Sequence, residues 1–171
     1  MTLWMGYDRA GLDAQYNLRA AVPAFQGDFD RWRRLSATAR QRPNSRLDIP
    51  YGEGALEKLD LFPADAPGAP LHVFIHGGYW QATDRSLYSH LARGLNQHGV
   101  SVALPSYDLC PAVTLAEIVE QISAACQALW RARKQKIIVS GHSAGGHLAA
   151  CMLAPLRSAV SPAVTARWLW L

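Results

Sequence analysis

The chain has 171 residues, half of them hydrophobic, enough to enclose one core and too few to argue for two. Seventeen basic and thirteen acidic side chains leave a net charge of +4, but the cations form no stripe for nucleic acid: Arg31, Arg33, Arg34, Arg40, Arg42 and Arg46 spread along a polar segment, while Arg131, Arg133, Lys134 and Lys136 close a helix and complement its dipole. The three cysteines, Cys110, Cys126 and Cys151, lack any ligand spacing, and no signal-peptide pattern or apolar run of membrane-spanning length is present. No disulfide framework, metal, cofactor, nucleic acid or membrane is therefore expected, and the location is expected to be cytoplasmic.

Along the chain, Gly11 to Pro23 has mixed polarity and weak helical spacing, as an arm lying on a domain would. From Phe29 to Arg40, the apolar residues Phe29, Trp32, Leu35 and Ala39 recur at three- and four-residue steps among arginines. This predicts an amphipathic helix with Asp28 as N-cap. Two short extended segments follow, Arg46 to Pro50 and Leu56 to Phe62, and Pro63 to Pro70 is a turn.

Leu71-His72-Val73-Phe74-Ile75 is a continuous β-prone run, the pattern of a strand covered on both faces. Helical spacing through Leu87, Leu91 and Leu95 predicts a helix over Asp84 to His98, ended by Gly99. Val100 to Leu104 is a further strand, Leu115 to Arg133 a long helix with Ile118, Ile122, Cys126 and Leu129 on one stripe, and Ile137 to Ser140 another strand. Strands and helices alternating at these lengths predict an α/β chain, a doubly wound, mostly parallel sheet with helices on both faces. The chain divides into an arm with its helix (1–45), a core (46–155) and a tail (156–171).

Two glycine turns carry chemistry. Gly141-His142-Ser143-Ala144-Gly145 sits directly between a strand and a stretch, Gly146 to Leu153, that reads as a helix. A serine at the apex of so tight a turn presents its hydroxyl outward, and Gly141 and Gly145 remove side chains that would collide. The helix N-terminus behind it offers N–H groups and the positive end of a dipole to a developing oxyanion. No lysine follows in the position a phosphate-binding loop requires. The second turn, His76-Gly77-Gly78-Tyr79-Trp80, again follows a buried strand, where glycines let a substrate carbonyl approach the backbone.

These residues, together with Tyr107-Asp108-Leu109-Cys110-Pro111, Gly141 to Ala149 and the opening Asp13-Ala14-Gln15-Tyr16-Asn17, resemble the kynurenine formamidase (arylformamidase) branch of the α/β-hydrolases, close to small carboxylesterases. The resemblance covers roughly residues 10 to 154. It implies the N-terminal part of the α/β-hydrolase fold and a small-molecule ester or aryl formamide as substrate. Ser143 would be the nucleophile, and the N–H groups of Gly78, Tyr79 and Ala144 the oxyanion hole. His76, Gly77, Trp80, Gly141 and Gly145 would be supporting motif positions, with Trp80 and Tyr107 shaping the site.

In this fold the triad acid and histidine follow the serine in the chain. After Ser143 there is no Asp or Glu, and the only histidine is His147, one turn along the same helix. It is a poor general base there. The resemblance ends near Ala154-Pro155, and Leu156 to Leu171 does not continue the pattern, so the expectation is a truncated or frame-shifted reading of a longer hydrolase with impaired activity. The strand at Ile137 to Ser140 is then expected near an open sheet edge, available to self-association or to a C-terminal partner, with the Trp168 to Leu171 tail as partial cover. A non-catalytic interaction module, or half of a split hydrolase, is the alternative function.

Overall fold

A computed structural model describes residues 2–134 and 137–153, apart from the side chain of Leu18. The tail beyond 153, with its Ala154-Pro155 boundary and terminal Trp-Leu pairs, and Lys136 in the second basic cluster lie outside the described residues.

The elements run α1 (Arg9–Tyr16), α2 (Leu18–Ala21), α3 (Phe25–Arg40), β1 (Arg46–Pro50), β2 (Lys58–Phe62), β3 (Leu71–Ile75), a 3-10 turn (Arg85–Tyr88), α4 (Leu91–Gln97), β4 (Ser101–Pro105), α5 (Leu115–Arg133), β5 (Ile137–Gly141) and α6 (Ala144–Cys151). The strands form one sheet in the order β1-β2-β4-β3-β5. β3 pairs in parallel with both β4 and β5, and β2 alone is reversed, antiparallel to β1 and β4.

Both faces are covered. Leu71, Val73 and Ile75 of β3, Ala103 of β4, and Ile137 and Val139 of β5 meet Ile118, Ile122, Cys126 and Leu129 of α5 and Leu148 and Ala149 of α6. On the other face Phe62, Val102 and Leu104 meet Ala92 of α4, with Phe74 and Leu95 packed alongside. The alternation that sends neighbouring strand residues to opposite cores is the period-two geometry of a pleated strand. α5 starts on a capping box: Thr114 Oγ1 accepts from the Glu117 N–H at 3.3 Å, and the Glu117 carboxylate accepts from the Thr114 N–H at 2.7 Å. It ends with Lys134 in the left-handed region, φ 53°.

Asp60 on β2 is fully buried and fastens three layers. Its carboxylate accepts from Arg85 Nε at 3.1 Å, from the Asp48 N–H at 2.9 Å and from Arg40 of α3. Arg85 also pairs with Asp48.

Several expected boundaries shift, among them α6, which spans Ala144–Cys151 where Gly146 to Leu153 was expected, and β4, which spans Ser101–Pro105 where Val100 to Leu104 was expected. α3 begins at Phe25, not after Asp28; Ala24 occupies the cap position with no side-chain bond, and Asp28 lies in the first turn, where its charge still suits the dipole. The stretch from Asp84 to His98 is not one helix. Asp84 caps the 3-10 turn through the Ser86 N–H at 2.6 Å, and α4 starts only at Leu91, because Ser36 Oγ of α3 takes the His90 N–H at 3.0 Å. Leu56 and Glu57 precede β2, since the Leu56 N–H is held by Asp108 at 2.9 Å. Gly99 does follow α4, with φ +73°. Among the described residues β5 is an edge strand, and Ile138 on it is 38% exposed.

Candidate active site

β3 and β5 are parallel neighbours in register from Leu71↔Ile137 to Ile75↔Gly141, so the chain leaves both strands at the same end of the sheet. That brings the two glycine turns, some 66 positions apart, into contact. The His142 N–H donates to the Ile75 carbonyl at 3.2 Å. A Cβ on Gly77 would stand 2.7 Å from the His142 carbonyl oxygen and 3.2 Å from Cβ of Ser143, and one on Gly145 would stand 2.0 Å from the Ile75 oxygen. Within the turn, a Cβ on Gly141 would meet the Gly145 oxygen at 2.1 Å. The glycines thus permit the backbones to touch.

Ser143 is exposed and sits at φ 54°, ψ −119°, a left-handed conformation that a non-glycine residue adopts only when its surroundings impose it. α6 starts one residue later, and the Ser143 carbonyl accepts from the Gly146 and His147 N–H groups at 2.8 and 3.2 Å. The other loop is equally constrained: Gly78, Tyr79, Trp80 and Thr83 all have positive φ (114°, 54°, 57° and 66°), and the Gly78 carbonyl accepts from Gln81 and Ala82 at 3.0 Å each. Among the described residues, no hydrogen bond is donated by the N–H of Gly78, Tyr79 or Ala144.

His76 is buried and stacked on Tyr107, with ring centroids 4.3 Å apart. Its Nδ1 lies 2.8 Å from the Gly77 carbonyl, which can only accept, so the proton is on Nδ1 and Nε2 is left buried with no partner among the described residues. Burial drives its pKa down to about 4, against a smaller upward pull from that carbonyl, and the ring is neutral. Tyr107 donates to the His76 carbonyl at 3.0 Å. Trp80 meets His147 edge to face at 5.4 Å and accepts the Cys110 N–H on its carbonyl at 2.8 Å. His147 Nε2 lies 3.6 Å from Cys151 Sγ. Among the described residues no group of three or more His, Cys, Asp and Glu side chains could hold a metal ion.

All nine site residues named from the sequence therefore meet at one end of the sheet. Sequence reasoning missed Thr83, which closes on the Gly77 carbonyl from behind: Thr83 Oγ1 donates to it at 2.7 Å. Nothing in the spacing marks Thr83; its positive φ is a property of the folded loop. A hollow of about 430 Å³ lies between α3 and the 3-10 turn, lined in part by Phe29, Arg40, Thr83 and Leu87, and Ser143 is not part of it. No described helix is long and apolar enough to cross a membrane.

Comparison with known proteins identifies the fold family. A family model described as "alpha/beta hydrolase fold" matches residues 72–171, a span that includes the tail set apart at 156. Kynurenine formamidase of Danio rerio is 29% identical over 170 residues, covering 90% of this chain and 56% of the relative; that of Drosophila melanogaster is 35% identical over 126 residues, covering 70% and 41%. Among solved structures, a provisionally assigned thioesterase from Silicibacter sp. tm1040 has a TM-score of 0.76 at 43% identity, covering 81% of this chain and 55% of that one. Esterase B from Lactobacillus rhamnosis, in an inhibited form, has a TM-score of 0.58 at 26% identity, covering 75% and 46%. The chain spans about half the length of the curated relatives it matches.

Proposed function

We propose, from the premise that this chain belongs to the α/β-hydrolase fold family, that it carries the nucleophile half of a serine hydrolase acting on carboxylic esters or aryl formamides. The observation that carries this reading is Ser143: an exposed hydroxyl on a left-handed residue between β5 and α6, with Gly77 of the other loop packed against it.

The chemistry follows from that placement. Ser143 Oγ bonds to the substrate carbonyl carbon while the carbonyl π pair moves onto oxygen, and the N–H groups of Gly78, Tyr79 and Ala144, which have no competing acceptor in the described residues, receive that charge. Donors fixed before the charge develops need no reorganisation in the transition state. The relatives named above as formamidases and esterases support an aryl formamide or a small ester as the substrate class.

The hydroxyl proton is the weak point. No Asp or Glu follows Ser143 in these 171 residues, and His147 faces Cys151 and Trp80 with no carboxylate among the described residues to fix its tautomer. Turnover by these residues alone is expected to be slow, on the order of the 10³- to 10⁴-fold over water that an oxyanion hole retains without its triad.

The test is hydrolysis of an aryl formamide and an aryl acetate by the purified chain beside Ser143→Ala. Slow turnover abolished in the variant supports the reading. Turnover at the rate of a complete hydrolase would mean that a base exists elsewhere in the chain. Equal inertness of two folded proteins would leave the hydrolase signature as ancestry and favour an interaction module.

A further inference from the structure

We propose that the Thr83 hydroxyl sets the direction and the donor strength of the Gly78 N–H, and so acts as a positioning residue for the oxyanion hole; this rests on the reading of Ser143 and Gly78 given above. The argument begins with the Gly77 carbonyl. Thr83 Oγ1 donates to it at 2.7 Å and His76 Nδ1 at 2.8 Å, and Thr83 Oγ1 and His76 Nδ1 are 3.1 Å apart. Two side chains converge on one carbonyl oxygen.

A peptide unit is planar, with its C=O and N–H pointing in opposite directions. Pinning the Gly77 oxygen toward Thr83 therefore turns the Gly78 N–H, the other end of that peptide, away from Thr83. Gly77 is also the residue whose Cα packs against Ser143, so this peptide borders the nucleophile directly. Donation into the carbonyl further polarises the amide and strengthens its N–H as a donor.

The neighbouring peptides are held in the same manner. Tyr107 pins the His76 carbonyl, and Gln81 and Ala82 pin that of Gly78. Thr83 differs from these in cost: it holds φ 66°, unfavourable for a β-branched residue. A strained backbone at a residue whose hydroxyl reaches back six positions to one carbonyl fits a role in aiming that carbonyl.

The experiment uses a p-nitrophenyl alkylphosphonate with the full chain. Ser143 Oγ bonds to phosphorus, the P–O bond to the aryl group breaks, p-nitrophenolate leaves with the bonding pair, and the serine proton passes to solvent. The phosphoryl oxygen then occupies the place of the carbonyl oxyanion. Removing an oxyanion donor outright costs about 10²- to 10³-fold; loosening one by Thr83→Val is expected to lower the limiting rate of adduct formation about tenfold, with the half-saturating concentration unchanged and Thr83→Ser within about twofold of the parent.

A Thr83→Val protein that labels at the parental rate overturns the proposal, as does a Thr83→Ser protein as slow as the valine variant. Failure of the parent to form a Ser143 adduct overturns the nucleophile assignment instead. The ¹H and ¹⁵N shifts of the Gly78 amide then decide the matter for Thr83. An upfield move in folded Thr83→Val is expected, and coincident resonances refute the link.

Discussion

His76 is a supporting position of its motif, and its surroundings define the task. The ring lies between Tyr107 and Tyr88, donates through Nδ1 to its own loop, and burial lowers its pKa to about 4. Between that value and the ordinary 6.5, the unfolded chain binds a proton that the folded chain refuses. Stability is thus expected to be flat above pH 6.5 and to fall as the pH drops toward 4, by up to about 3 kcal/mol from this residue. Burial lowers His72 and His90 as well, so they act with the same sign. Denaturant melts across this range, with NMR titration of the imidazoles, check the expectation; a His76 ring that titrates near 6.5 would contradict it. At this scale the tight turns at Ser143, Gly77 and Gly145 were legible in the sequence, because such turns need particular residue types. It could not disclose Thr83, whose importance comes from a carbonyl that only the folded loop brings to it.

The elements were legible where local chemistry and tertiary packing agree. α5 matches its predicted span because a capping residue, a buried stripe and terminal cations all mark the same helix. The stretch after Asp84 was misjudged because tertiary bonds from α3 to His90, and Arg85 turned inward to Asp60 and Ser106, override helical spacing. α6 makes a sharper test. Gly145 lies on the backbone of β3, so Gly145→Ala places a methyl 2.0 Å from a carbonyl oxygen and forces the helix off the sheet. A loss on the order of 3–5 kcal/mol is expected, at the upper end for single substitutions. Gly94 in α4 is the counterpart: nothing lies within 4 Å of an added Cβ, and Gly94→Ala should stabilise by about 0.5–1 kcal/mol through helix propensity alone. Urea midpoints for the pair would separate crowding from propensity, and equal shifts would deny the close approach.

For the molecule as a whole, the α/β pattern with helices on both faces is found as the alternation of elements predicts, and the antiparallel pairing of β2 was not legible, since a short strand does not announce its direction. What ties the N-terminal layer to the sheet is the Asp60 cluster, with Arg40 from α3 and Arg85 from the 3-10 turn. Removing the buried carboxylate leaves Arg40 without its counter-charge and Arg85 with only the exposed Asp48, so Asp60→Ala is expected to cost about 3–5 kcal/mol, whereas Asp48→Ala, at the exposed end, should cost less than about 1 kcal/mol. Thermal and denaturant unfolding of both variants would test this. A small effect at Asp60 would show that α3 is held by its apolar contacts instead.

The strand order itself has a further consequence. From β3 the chain steps sideways to β4 and then crosses back over β3 to reach β5, so the winding reverses at β3. The segment leaving β3 accordingly descends on one face of the sheet, through α4, and the one leaving β5 on the opposite face, through α6. Two adjacent strands whose continuations part in this way leave a crevice between them at their carboxyl ends, the topological switch point at which open α/β sheets take their ligands. The turns bearing Gly78 and Ser143 leave the sheet at that switch point, so the path of the chain alone brings them together before any side chain is considered.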